Sequence, residues 1–337
     1  MNPRHRRLLI PGLLLALLVV VLVSSLARNA DGAPTGPVVV SRLSDPRILE
    51  SSGLAVSQRH EDLAYTINDS GADPVVYAIK ISTGAVLGTT TIAGGSLLDT
   101  EAIALDGDGR LWVADTGDNQ ESRGEVAIYA FLEPGPGPGD RTVTAKRYPI
   151  TYESGPVDVE ALLIDRRTGA KALISKELVG GRVLSLPDRL STTGRNEATE
   201  DSDGLPLLVT DGTLTADGRY ALLRTYTSVL LYDATTWKLI SSDEASRQPQ
   251  GESIAIERSG RSFLIGSEGA GSTLIRMPLT LPTPQASSGP ATPDPGRGQP
   301  SDAEPPADNG FAGATWFWAA GVMALLAAIA VAATRRT

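Results

Sequence analysis

The chain contains no cysteine. A disulfide framework, a thiolate nucleophile and a Cys-ligated zinc site are therefore excluded. Histidine is nearly absent as well: His5 and His60 are the two in 337 residues. His5 sits in a basic leader, and His60 falls in a turn between two predicted strands. A Ser–His–Asp triad needs a positioned imidazole, so triad hydrolysis is disfavoured. No phosphate-cradling glycine loop or dinucleotide fingerprint occurs. Long stretches of helical periodicity are missing from the central part of the chain. Basic excess is missing too: the formal net charge is −9, which disfavours nucleic acid and anionic lipid and tolerates cations or basic partners.

Two apolar runs frame the chain. Residues 4–7 read RHRR, and an apolar stretch from Leu8 to Val23 follows, then small residues near Ala27 and Ala33. Residues 1–33 fit a secretory signal peptide. The run also nearly reaches spanning length, so an uncleaved signal anchor is the second reading. Residues 313–334 form the other run, which opens on Trp316, Phe317 and Trp318 and is followed by Arg335 and Arg336. About 20 apolar residues cross a hydrocarbon core of about 30 Å, and such aromatics favour its interface. The terminal arginines put residues 335–337 in the cytoplasm by the positive-inside rule. The expected topology is a single-pass membrane protein with its body extracytoplasmic. Residues 282–312 are rich in Pro, Ser, Gly and Asp and cannot bury a core, so they read as a stalk.

Residues 34–281 carry short β-branched and aromatic runs separated by Gly, Asp and Asn turns. The runs recur as a unit. First strands read ESSGLAVS (50–57), DTEAIALD (99–106), DVEALLID (158–165), TDGTLTADG (210–218) and QGESIAIE (250–257). A turn, a second and a third strand follow each, and a fourth follows most. In the third unit the fourth strand is expected near LPLLVT, and 187–207 reads as loop. Ser52, Glu101, Glu160, Asp211 and Glu252 mark the repeat at spacings of 41 to 59 residues. Four strands at that period predict an all-β fold, a β-propeller of about five four-stranded blades. The fifth unit lacks a fourth strand, and VVVSRL (38–43) is a spare strand able to complete it and remove the open edge. Six blades is the alternative, with a further unit in 187–207.

Antiparallel first and second strands bring the start of one and the end of the other to the same face. One predicted ring is Ser52, Glu101, Glu160, Asp211 and Glu252. The other is Asp69, Asp115, Lys176, Arg224 and Ser267, with Glu268 alongside. DSGAD (69–73) and DTGDN (115–119) match as D-[ST]-G-x-[DN]. Structurally, such acids can bind neighbouring backbone amides, the motif suits turns, and Lys176 and Arg224 can neutralise the acids. Functionally, carboxylates converging on one mouth suit Ca²⁺ or Mg²⁺, with Glu101, Glu160, Glu252 and Asp115 as ligands. Zinc and copper are disfavoured by the lack of nearby His and Cys.

The segment EAIALDGDGRLWVADTGDN (101–119) resembles bacterial exported propellers of the NHL, gluconolactonase-like and esterase-like-phytase kinds. The resemblance implies a central-channel site, in some relatives with calcium and lactone or ester hydrolysis. Composition and the single tail look like an actinobacterial-type envelope protein. Two functions follow. The first is a binding or scaffold module that contacts an envelope protein or polymer through its acidic face, anchored in the membrane by its C-terminal helix. The second is a metal-dependent hydrolase of a lactone, ester or phosphate, with metal-bound water and a carboxylate or Lys176 as base.

Overall fold

A computed structural model describes residues 36–282, apart from 70–72, 95–96 and 138. The predicted leader, the stalk beyond Pro282, the C-terminal apolar helix and the tail lie outside the described residues. The described residues are all-β, and no helix among them is long and apolar enough to cross a membrane.

Strand β1 (Val38–Arg42) precedes five repeats. The first holds β2 (Ser51–Val56), β3 (Leu63–Asn68), β4 (Val75–Lys80) and β5 (Val86–Ile92). The second holds β6 (Thr100–Leu105), β7 (Arg110–Asp115), β8 (Val126–Leu132), a short β9 (Asp140–Val143) and β10 (Lys146–Tyr152). The third holds β11 (Val159–Ile164), β12 (Lys171–Ser175), β13 (Gly181–Ser185) and β14 (Asn196–Leu205). The fourth holds β15 (Val209–Leu214), β16 (Tyr220–Thr225), β17 (Ser228–Asp233) and β18 (Leu239–Glu244). The fifth holds β19 (Gly251–Ile256), β20 (Ser262–Ser267) and β21 (Thr273–Pro278).

Within each repeat consecutive strands pair antiparallel, β8 passing directly to β10. The expected closure is present: β1 pairs antiparallel with β21, so the fifth sheet runs β1-β21-β20-β19. Two details differ from the sequence reading. Residues 196–205, inside the stretch read as loop, form β14, and LPLLVT is split between the end of β14 and the start of β15. That strand has mostly exposed side chains and almost no apolar pattern, so it gives no hydrophobic signal. β9 is also an addition; it joins β5 in parallel, as β14 joins β10.

The core lies between repeats. β2 and β19 are buried along their whole lengths, which means that both faces of these strands are covered. Five apolar clusters do the covering, and each draws on two neighbouring repeats. Trp112 of the second meets Leu162 of the third, and Leu163 of the third meets Leu223 of the fourth. Ile254 of the fifth meets Leu222 of the fourth, and Tyr65 of the first meets Val113 of the second. The last cluster sets Leu54 and Ile79 of the first repeat against Leu264 of the fifth. First strands are adjacent all round: β2 to β6, β6 to β11, β11 to β15, β15 to β19, and β19 to β2. At Gly53 an added Cβ would come 2.7 Å from the Ile103 amide nitrogen, so first strands can approach this closely only because that position lacks a side chain.

Leu43 tests the closure. It is fully buried in the cluster joining the fifth and first repeats, and its amide donates to the Ser272 carbonyl at 2.8 Å. Leu43→Ala is expected to cost about 2–5 kcal/mol, read by denaturant unfolding of the full chain. A cost below about 1 kcal/mol would show that the N-terminal strand does not hold the last repeat to the first.

Candidate functional site: an acidic cluster at the strand starts

The pairing of first with second strands skips a residue at the same place in every repeat. Ser51 faces Asn68 and Gly53 faces Ile67; Thr100 faces Asp115 and Ala102 faces Ala114. Val159 faces Ser175 and Ala161 faces Ile174; Val209 faces Thr225 and Asp211 faces Arg224. In the last repeat Gly251 faces Ser267 and Ile254 faces Ile265. Each is a β-bulge, which breaks strand alternation and re-aims the extra side chain. The extra residues are Ser52, Glu101, Glu160 and Thr210, with Glu252 at the matching place in the fifth repeat.

This register corrects the predicted rings. Thr210, not Asp211, is the fourth member of the first. The function of the hydroxyl agrees: Ser52 Oγ donates to the Glu101 carbonyl at 3.0 Å, and Thr210 Oγ1 donates to the Glu252 carbonyl at 2.9 Å. Asp211 lies one residue deeper, fully buried, where it accepts from the Gly212 and Ile254 amides at 2.7 and 2.8 Å. Burial raises its pKa well above the usual range, against the pull of those amides.

The second ring also shifts. Asp115, Ser267 and Asn68 occupy one level, opposite the residue before each bulge. Asp69, Thr116, Lys176, Tyr226 and Glu268 occupy the next position along. The two D-[ST]-G runs are thus alike in letters but one residue out of step, because the shared turn chemistry does not record the ladder. Arg224 lies two positions before Tyr226. It is completely buried; Nη2 donates to Gln248 Oε1 at 2.7 Å, and Nε and Nη1 have no partner. Burial pulls the guanidinium down to about 10, opposed by Glu252 and Asp211.

The predicted metal ligands separate into four environments. Asp115 Oδ1 accepts the Leu98 and Asp99 amides at 3.0 and 2.9 Å and pairs with Arg123 at 3.0 Å. It positions the segment before β6. Glu160 pairs with Lys176 Nζ at 2.6 Å. Burial pushes the Glu160 carboxyl up and Lys176 pulls it back; burial also opposes the Lys176 charge, but Glu160 outweighs it and holds the ammonium raised. Glu252 accepts from Gln250 Nε2 at 3.0 Å, and the same amide nitrogen donates to Glu268 at 2.6 Å. Burial pushes Glu252 up to about 7, eased by Gln250 and reinforced by Glu268.

Glu101 alone of the four joins a three-carboxylate cluster. One oxygen each from Asp69, Asp99 and Glu101 lie within 4.8 Å of one another. Glu101 Oε2 also accepts from Ser52 Oγ at 3.1 Å. Burial first, then Glu160, Asp69 and Asp99, raises the Glu101 pKa well above its usual value. Burial and Asp69, both by its charge and by a hydrogen bond, push Asp99 up to about 6. Gly117 keeps this space open. An added Cβ there would lie 2.5 Å from Glu101 Oε1 and 2.6 Å from Asp99 Oδ2.

Asp99 was not among the predicted ligands, although the sequence carries a signal for it. The adjoining second and third repeats share D-x-E, Asp99–Glu101 and Asp158–Glu160. The first aspartate of each pair opens the run that reads as a first strand in the sequence, but β6 and β11 begin one residue after it. Asp158 is itself engaged: its Oδ1 accepts the Asp118 amide at 2.7 Å.

The raised carboxylates fix the sign of the pH response. Unfolded, these groups release protons near pH 4; folded, Asp99 and Glu252 hold them to about 6 and 7. The folded state therefore binds more protons across that window, and stability falls as pH rises through it. In chelator-containing buffer the melting temperature should drop between about pH 5 and pH 8, and Glu101→Gln should reduce the drop. A melting temperature that rises over that window would overturn the assignment.

No protein-family model matches the chain, and no curated protein matches it.

Proposed function

We propose that the five repeats are the blades of a β-propeller held outside the cell by the C-terminal apolar helix, and that its acidic mouth is a calcium-dependent binding surface for an envelope protein or polymer. The observation that carries this reading is the convergence of Asp69, Asp99 and Glu101, with Gly117 leaving space beside them. Three carboxylates packed this closely repel one another unless a proton or a cation lies between them. Hard divalent cations take carboxylate oxygens, and calcium tolerates irregular geometry where magnesium demands a near-ideal octahedron. The all-β architecture, the closed succession of first strands and the β1–β21 pairing support the propeller.

The hydrolase reading would need a free base beside a cation-bound water. Of the candidate bases Glu101, Glu160 and Lys176, the last two are bound to each other at 2.6 Å and Glu101 belongs to the acidic cluster itself, which favours binding over catalysis.

Calcium should raise the melting temperature of the purified full chain at pH 7.5 in a saturable way, and magnesium should do so less. Asp99→Asn together with Glu101→Gln should abolish the response. Gly117→Ala should weaken it, because the added methyl would meet Glu101 Oε1 at 2.5 Å and Asp99 Cγ and Oδ2 at 2.6 Å. An unchanged melting temperature with calcium would sink the cation site. Membrane fractionation with protease added to intact cells tests the anchor: the body should pellet with membranes and be digested from outside.

A further inference from the structure

The end of the ring opposite the acidic cluster is built from the turns between first and second strands. A cavity of about 290 Å³ opens there, lined by Gln58, Arg59, Asp106, Glu133, Arg166 and Arg167 among others. It gathers the β2–β3, β6–β7 and β11–β12 turns. Arg166 also lines a narrow cavity of about 50 Å³ bounded by residues of all five first strands, so this residue stands where the centre of the ring meets the outer cavity.

Arg166 is half-buried, and its side chain has no hydrogen bond or ion pair with any described residue. Burial lowers its pKa, and no carboxylate offsets the effect. The Arg59 guanidinium likewise lacks an acceptor among the described residues; it lies against Gly109, where an added Cβ would come 2.3 Å from Cζ. Arg167 reaches Asp165 only at 3.5 Å.

The acids lining the cavity, Asp106 and Glu133, accept from neutral donors, so the lining holds three arginines against two carboxylates. Asp106 Oδ1 accepts the Asp108 and Arg110 amides at 3.0 and 2.8 Å, and its Oδ2 accepts Trp112 Nε1 at 2.8 Å. Glu133 Oε1 accepts Ser57 Oγ at 2.6 Å, while the nearby Tyr65 hydroxyl donates to the Pro134 carbonyl at 2.5 Å. In a chain with 39 acidic and 30 basic residues, a half-buried guanidinium without an acceptor runs against the overall balance; Arg59, lining the same cavity, is exposed. A half-buried guanidinium without an acceptor is costly, and its fork of donors matches an oxyanion.

We propose that this cavity binds a dianionic oxyanion, a phosphate or sulfate group, between Arg59 and Arg166. Arg166 offers an unused fork of donors, and the three arginines outnumber the two carboxylates of the lining, which suits the several acceptor oxygens of a tetrahedral anion. The site is separate from the acidic cluster and does not depend on a bound cation.

The test is calorimetric titration of the full chain with inorganic phosphate at pH 7.5, with EDTA present and ionic strength held constant with chloride. Saturable one-site binding is expected, with a rise in melting temperature. Arg166→Gln should weaken binding at least about tenfold, the scale of one lost charge-assisted hydrogen bond. Arg59→Gln should weaken it similarly. Arg219→Gln removes an exposed arginine that stacks on Tyr220 outside this cavity, and should leave binding unchanged. Sulfate should compete. Glycerol phosphate binding as well as free phosphate would extend the site to phosphate esters; its failure to bind would restrict it to the free ion. No saturable binding by 10 mM phosphate, on the order of the weakest millimolar affinities worth assigning to a site, overturns the proposal. Equal affinity in a folded Arg166→Gln variant, judged by its melting curve, does the same.

Discussion

The structure depends on the fact that its sheets are apolar on both faces. A sheet with one buried face can be covered by a helix or a second sheet, but first strands such as SSGLAV (51–56) and GESIAI (251–256) are buried throughout. Each repeat must therefore be covered on two sides, and among the described residues only further repeats provide that cover. An open stack would leave two apolar faces exposed at its ends. Closure removes both, and β1 pairing with β21 joins the two ends of the chain in one sheet. Apolar burial at roughly 25 cal/mol per Å² is then gained at every junction, which lets a chain without disulfides or helices in its described body hold together.

That arrangement also explains how the protein tolerates its buried charges. Glu101, Glu160, Asp211, Glu252 and Arg224 are each at most 3% exposed. Buried ionic groups of this kind contribute little to stability, and several are here unfavourable in their charged forms. They sit at one end of the ring, beyond the apolar junctions. The bulges separate the two populations. At the bulge the first strand carries Ser52, Glu101, Glu160, Thr210 or Glu252, and after it the strand carries Leu54, Ile103, Leu162 and Ile254 into the apolar interior.

The sequence reveals repetition better than register. Period, strand number per repeat and the spare strand at 38–43 are legible because apolar alternation and turn residues mark them. The positions that meet at the mouth are less legible, because a bulge shifts alternation by one residue without leaving a composition signal. Asp211 matches Glu101 in the sequence as an acid near the strand start, whereas the ladder aligns Thr210, whose hydroxyl does the work of Ser52. Asp99 is less legible because only the second and third repeats carry an aspartate two residues before the repeated glutamate, so it does not recur with the period. β14 was hidden because a strand with polar, exposed side chains resembles a loop in composition.

The register also bears on whether the mouth acids are structural. A clasp between neighbouring repeats needs only a donor that reaches the next repeat's backbone. Ser52 and Thr210 supply it with hydroxyls, and Thr116 Oγ1 does the same to the Val159 carbonyl at 2.9 Å. Carboxylates are acceptors and cannot donate to those carbonyls when ionised. Glu101, Glu160 and Glu252 occupy the bulge position where a hydroxyl suffices for joining, and all three have pKa values raised by burial. Each opposes stability at neutral pH, and one is neutralised by Lys176. Clasping does not require that excess of negative charge. Cation binding does, and Asp69, Asp99 and Glu101 are the place where the excess is densest and where the chain has left out a side chain at Gly117.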